Sequence, residues 1–298
     1  MTTTALHNNK IRLSLVIITC ILILITVSLI ISIFVITIRP KAKSARSPEN
    51  SVTDSGKIIF SGVELDVDDT LPINTFSLKD FVSHDSGRIT YNGDGAIYGI
   101  DVSSFQGNIN WTAVKASGID FAIIRLGFRG SGEGGLFADK NFQDNITNAA
   151  AAGINVGVYF FSQAITIEEA EEEAEYVLEV LDGQKLQYPI FFDWEPGTDE
   201  DDRTNAIYSS PLINEFAVAF CNVINNAGYE SGVYFNGHQG YLQYDFNHFD
   251  NEVLWLAEYG NPYPKFYYYF DMWQYSCTGT IDGIDTPVDL NIHFTYNN

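Results

Sequence analysis

At 298 residues, 46% apolar and 14% aromatic, the chain is long enough for one core of roughly 200 residues plus appendages. Its formal charge of −22 speaks against nucleic acid as a partner, because phosphates would be repelled rather than neutralised. The charge is unevenly spread: Lys10, Arg12, Arg39, Lys41, Lys43 and Arg46 all precede the first acid, Glu49, so the 38 acidic residues lie beyond them.

After a short tail (1–12), residues 13–38 form a run without a charge. As a helix it would span about 39 Å, more than the ~30 Å of a bilayer's hydrocarbon core and longer than a secretory h-region. The reading is an uncleaved, single-pass transmembrane signal anchor, with cleavage as the alternative. Two Lys/Arg precede the run and four follow it, which on the positive-inside rule puts the C-terminal part in the cytoplasm. The function read below puts it outside the cell. Residues 39–94 are read as stalk and linker: 39–56 is polar with two prolines, and 57–94 is either a strand or two packed on the main domain or an ordered spacer. Of the three cysteines, Cys20 falls in the apolar run, and Cys221 and Cys277 are by default free thiols.

From residue 95 the pattern changes. Apolar runs at 96–104, 121–129, 155–164, 188–195, 230–236, 253–260, 269–276 and 288–294 read as strands. Between the early ones lie helix-like stretches at 110–118, 141–153, 166–183 and 211–228. Thr166 and Glu169 stand at capping-box spacing, and the last three runs are too closely spaced for full crossover helices. Continuous apolar strands alternating with helices predict a parallel sheet covered on both faces, and eight of them predict an α/β, TIM-like barrel.

In such a barrel chemistry sits at the C-terminal ends of the strands. FFDWEP places Asp193 and Glu195 two apart, hence on one strand face, with Trp194 on the other. Like charges in a buried pair push the two pKa values apart, and glycoside cleavage needs one protonated and one ionised carboxyl. Asp101 ends one run and Asp289 opens the last. Tyr159, Phe161, Tyr234, Trp255, Tyr259, Trp273 and Tyr275 suit stacking on sugars, with core packing as the competing reading; Asn236 and Gln274 add polar groups at strand ends. The acids at 199–202 read as a solvated rim, and no His/Cys cluster suggests a metal.

YGIDVSSFQGNINW, FAIIRLGFRG, GVYFFSQA, FFDWEP, WLAEY, MWQYS and GIDTPVDLN occur in that order across 97–294. Together they resemble the family-25 glycoside hydrolases, the N-acetylmuramidase lysozymes. The resemblance implies a (β/α)5β3 barrel and hydrolysis of the β-1,4 bond between N-acetylmuramic acid and N-acetylglucosamine in peptidoglycan, without metal or cofactor. It implies Glu195 as general acid, Asp193 as partner carboxylate, and Asp101 and Asp289 as the further acids of the cleft. Tyr159-Phe160-Phe161 departs from the Tyr-His-Phe of many relatives, and Asn236 follows a phenylalanine rather than a small residue; both bear on specificity. The competing expectations are a silent glycan-binding domain on a membrane stalk and a hydrolase of another acetamido-sugar polymer.

Overall fold

The structure, a computed structural model, describes residues 56–197, 202–208 and 210–295. The expected tail, the apolar run 13–38 and the polar stretch to residue 55 lie outside the described residues, as do the rim acids Asp199, Glu200 and Asp201. Among the described residues no helix is long and apolar enough to cross a membrane.

The elements run β1 (Lys57–Phe60), β2 (Val63–Asp66), β3 (Phe81–Ser83), β4 (Ile89–Tyr91), β5 (Ala96–Val102), α1 (Trp111–Ala116), β6 (Phe121–Arg129), β7 (Leu136–Ala138), α2 (Phe142–Ala151), β8 (Asn155–Ser162) and α3 (Ile167–Leu181). There follow β9 (Ile190–Trp194), α4 (Leu212–Asn226), β10 (Ser231–Asn236), α5 (Gly237–Leu242), β11 (Val253–Ala257), β12 (Met272–Gly279) and β13 (Val288–Phe294). Eight strands close on themselves in the order β5-β6-β8-β9-β10-β11-β12-β13, with β13 returning to β5. Every neighbouring pair from β5 to β12 is parallel, and β13 runs antiparallel to both its neighbours. Helices follow the first five barrel strands, whereas β11, β12 and β13 are joined without one.

The period of two sorts the apolar residues into two layers. Phe121, Ile123, Phe191, Tyr234, Trp255 and Met272 fill the barrel interior, while Ile124, Phe160 and Phe192 point outward, where Phe220 of α4 meets Phe192 at 5.2 Å. The interior is tight where rings cross glycines: a Cβ on Gly99 would lie 2.3 Å from the Phe121 ring, and one on Gly232 2.4 Å from Phe191. Thr166 caps α3 as its spacing predicts, accepting from the Glu169 N–H at 3.2 Å. The reciprocal bond is shifted by one residue, since Glu169 accepts from the Ile165 N–H at 2.8 Å. Cys221 is buried and Cys277 exposed, and both are free thiols.

Of the segment 39–94, the part the structure describes is two antiparallel hairpins, β1–β2 and β3–β4. The second lies on the outer side of β12 and β13. Phe81 meets Trp273 edge-on at 5.6 Å, and Phe76 sits 4.3 Å from Phe294 and 5.9 Å from Phe270.

This packing corrects two of the stacking candidates. Trp273 is fully buried under Phe81 and donates its indole N–H to the Glu258 carbonyl at 2.9 Å. Tyr275 shares that outward side, its ring 5.5 Å from Trp273 and 5% exposed. Neighbours of Gln274 along one strand must point away from it, so neither ring faces the barrel mouth.

Candidate active site

Three strands bring the four predicted acids together. Asp193 is the fourth residue of β9 and Glu195 follows its end; Asp101 is the sixth residue of β5, and Asp289 the second of β13. Because β13 is antiparallel, its beginning lies at the rim where the other strands end, and Asp289 pairs with Asp101 in register. In the barrel order β9 stands three strands from β5 and four from β13, so two carboxylate pairs face each other across the mouth. Trp194 is fully buried on the outer face and donates to the Ala164 carbonyl at 2.9 Å, as its alternation predicts.

Asp101 is held by side-chain amides. Gln274 Nε2 and Asn291 Nδ2 both donate to Asp101 Oδ2 at 2.7 Å. Each amide is oriented from behind: Asn291 Oδ1 accepts from the Trp255 indole at 2.8 Å, and Gln274 Oε1 accepts from Tyr234 at 2.8 Å and also from Tyr259. Tyr234 and Gln274, expected to meet substrate, therefore form the framework that places Asp101. Burial and the neighbouring Asp289 push Asp101 well above the carboxylate range, against the pull of the Asn291 and Gln274 donors. Burial raises Asp289 as well, opposed by its hydrogen bond with Asp101, a bond that requires one proton between the two.

Across the mouth, burial and then the charges of Glu195 and Asp101 raise Asp193 strongly, countered in part by Arg125 and reinforced by Asp289. Asp193 Oδ1 is buried and has no hydrogen-bond partner among the described residues. Glu195 is half-buried and raised by burial and by Asp289. Both members of the pair are thus shifted up, Asp193 in part by the charge of Glu195 and Glu195 by burial and Asp289.

Two glutamines that the sequence does not single out as a pair fix the backbone carrying these acids. Gln163, 1% exposed, donates to the Glu195 carbonyl, and Gln239, 2% exposed, donates to the Trp194 carbonyl at 2.6 Å. They take over where the sheet hydrogen bonds of β9 stop. Gln239 is itself held by Asn236, whose side chain accepts from the His238 and Gln239 N–H groups at the start of α5. Asn236 thus caps a helix, and its carbonyl is already engaged.

Phe161 is half-buried and pairs in register with Asp193, so it does border the acids. Arg125 lies below, its Nε donating to Asp139 Oδ2 at 2.8 Å. Burial alone would raise Asp139, but the Ser104 and Asn141 N–H groups and Arg125 hold it below its usual value. Above Arg125, 5.0 Å from its guanidinium carbon, sits the ring of Phe105, 76% exposed; Phe137 is 52% exposed on β7. These rings and Tyr259, 44% exposed, are the open aromatic surfaces around the mouth.

Residues 100–284 match the model of the glycosyl hydrolases family 25. The chain belongs to that family. Membership places it among the glycoside hydrolases, and the matched stretch holds Asp101, Asp193 and Glu195, with Asp289 just beyond its end. The family-25 region is similar to the autolytic lysozyme of Clostridium acetobutylicum, 27% identical over 65% of this chain and 54% of that protein. It is equally similar, at 27% identity, to lysozyme M1 of Streptomyces globisporus, over 65% of this chain and 67% of the relative. The chain thus spans about half the length of the first relative and two thirds of the second. Among solved structures, the bacterial lysozyme from Streptomyces coelicolor superposes with a TM-score of 0.52 at 25% identity, over 69% of this chain and 94% of that one.

Proposed function

We propose that this chain is a peptidoglycan hydrolase that cleaves the β-1,4 bond between N-acetylmuramic acid and N-acetylglucosamine. The observation that carries the reading is the gathering of four carboxyls from three strands at one mouth, two facing two, each with its pKa raised. Stability does not call for such a cluster: Asp139 is buried beside Arg125, whereas Asp193 Oδ1 is buried without a hydrogen-bond partner among the described residues. Family membership and the lysozyme relatives support the same substrate class. The finer description of the barrel as (β/α)5β3, with five strand–helix pairs and three closing strands, belongs to this reading.

In the proposed mechanism Glu195 holds a proton near neutral pH and delivers it to the leaving oxygen. Asp193 stabilises the positive charge developing at the sugar ring. Its unpartnered Oδ1 is placed to accept from a substrate donor, either the attacking water or the N–H of the sugar's own 2-acetamido group. A donor arriving there favours the ionised form of Asp193 and leaves the proton on Glu195. Asp289 supplies negative charge that raises Glu195, and with Asp101 it orients substrate. Phe161, Tyr259 and Phe105 offer rings to the sugar faces.

Attachment to the cell membrane through residues 13–38, with the domain outside, completes the proposal and rests on the uncharged run of 26 residues. Recovery of the full chain in the soluble fraction of a carbonate-washed membrane preparation would refute this attachment. The reaction is tested by digesting purified peptidoglycan and identifying the new reducing ends after borohydride reduction. Muramitol is the expected product. Glucosaminitol alone, or activity on chitin but not on peptidoglycan, would overturn the bond assignment.

A further inference from the structure

The hairpin β3–β4 precedes the stretch that the family model matches, yet it reaches the rim of the barrel. Between it and the rim lies a groove of about 460 Å³. His84 and Ile89 form one wall; Tyr259 and Asn261 after β11, and Tyr275 and Thr278 on β12, form the other. The volume is within the roughly 300–1,000 Å³ usual for ligand sites. Its lining contains no Asp, Glu, Lys or Arg, although the domain around it is dense in acids. Such a surface discriminates against ions and suits a neutral ring bearing hydroxyl and amide groups.

Both walls are fixed before any ligand arrives. Phe81 anchors the hairpin against Tyr91 at 5.2 Å and Trp273 at 5.6 Å, and His84 Nε2 lies 2.9 Å from Thr90 Oγ1. Arg88 ties the hairpin to the barrel by donating to the Ser117 carbonyl at 2.8 Å. On the other wall Glu258 accepts from the Lys265 and Phe266 N–H groups and from Asn261 Nδ2. With one N–H of that nitrogen engaged, Asn261 is held in place and offers a ligand its Oδ1 acceptor and its second N–H. A preformed groove binds without the entropy cost of ordering loops.

The groove is linked to the acids through side chains. Tyr259 lines it, and the same residue's hydroxyl donates to Gln274, which holds Asp101. We propose that the groove binds a neutral acetamido-sugar unit of the glycan strand, remote from the bond that is cut, with its ring against Tyr259. This rests on the hydrolase reading. The hairpin from outside the family-matched stretch would then lengthen the substrate site and make the enzyme selective for long strands.

Cys277 reports on the groove directly, because its exposed free thiol lines it while Cys221 is buried and serves as reference. The full chain carrying Glu195→Gln, used so that the strand survives, is treated with a maleimide and the labelled peptides are read by mass spectrometry. An octasaccharide of alternating N-acetylglucosamine and N-acetylmuramic acid should slow labelling of Cys277 about fivefold or more, and the disaccharide should not. In the otherwise native chain, Thr278→Trp should lower the ratio of kcat/KM for octasaccharide over tetrasaccharide about tenfold. An octasaccharide that binds by tryptophan fluorescence but leaves Cys277 labelling unchanged would overturn the groove and leave the hydrolase intact. So would failure of the octasaccharide to bind at all, or an unchanged kcat/KM ratio in Thr278→Trp. Protection of Cys277 in a chain whose wild-type form cleaves nothing would support the groove and sink the hydrolase reading.

Discussion

The site's chemistry turns on how four carboxyls share few protons. Glu195 is raised first by burial and second by the charge of Asp289. Removing that charge by Asp289→Asn should lower the pKa of Glu195 and move the alkaline limb of kcat/KM to lower pH. A limb that stays in place or moves up would show that Asp289 does not act through Glu195. In the unaltered enzyme a rate maximum above about pH 8 would contradict a protonated Glu195 as the acid. Asp193 makes a separate prediction about stability. A carboxyl whose pKa is higher in the fold than in the unfolded chain contributes most below the unfolded value of about 4, and its contribution falls as pH rises through the folded value. Asp193→Asn removes that fall. It should raise Tm at pH 7, with the difference vanishing below about pH 4. Thermal melts at both pH values check this, and a lowered Tm at pH 7 would mean that Asp193 is held by interactions the structure lacks.

At the scale of elements, the hairpin β3–β4 is the addition to the barrel with the clearest packing role. Phe76, Phe81 and Tyr91 cover Phe270, Trp273 and Phe294, which a fragment beginning at residue 95 would leave bare. Losing two buried rings, Phe76 and Phe81, at about 1.5–3 kcal/mol each, and the half-buried Tyr91, should lower Tm by on the order of 10 °C relative to a fragment beginning at residue 56. Equal melting of the two fragments would show that the hairpins are ornamental. The eight barrel strands are legible because each is a continuous apolar run, and the three longer helices, α2 to α4, because their apolar positions recur with helical spacing. The hairpins are not, since strands of three or four residues give periodicity too little length to show. The same limit hides β7, a three-residue strand paired with the end of β6. Alternation also explains the misplaced aromatics. Once Gln274 faces inward, Trp273 and Tyr275 cannot, but deciding which member of a run faces inward takes the neighbouring strands. The acids escape this ambiguity because their cost of burial restricts them to the rim. Asn291 lies two residues after Asp289 and so was readable by the same period. Gln163 and Gln239 were not, because a glutamine that holds a backbone carbonyl carries no pattern of its own.

For the whole molecule, an acidic surface around a cleft that must keep protons is consistent in sign: negative charge favours the protonated form of every carboxyl in the mouth. The barrel supplies rigidity, the antiparallel β13 brings Asp289 to the catalytic rim, and two glutamines hold the strand end that carries Asp193 and Glu195. The account depends most on Glu195 as the acid, and Glu195→Gln tests it with little change of shape. Release of new reducing ends from purified peptidoglycan should fall at least a thousandfold in this variant while its Tm stays at or above that of the native chain. Full activity in a folded Glu195→Gln protein would contradict the assignment.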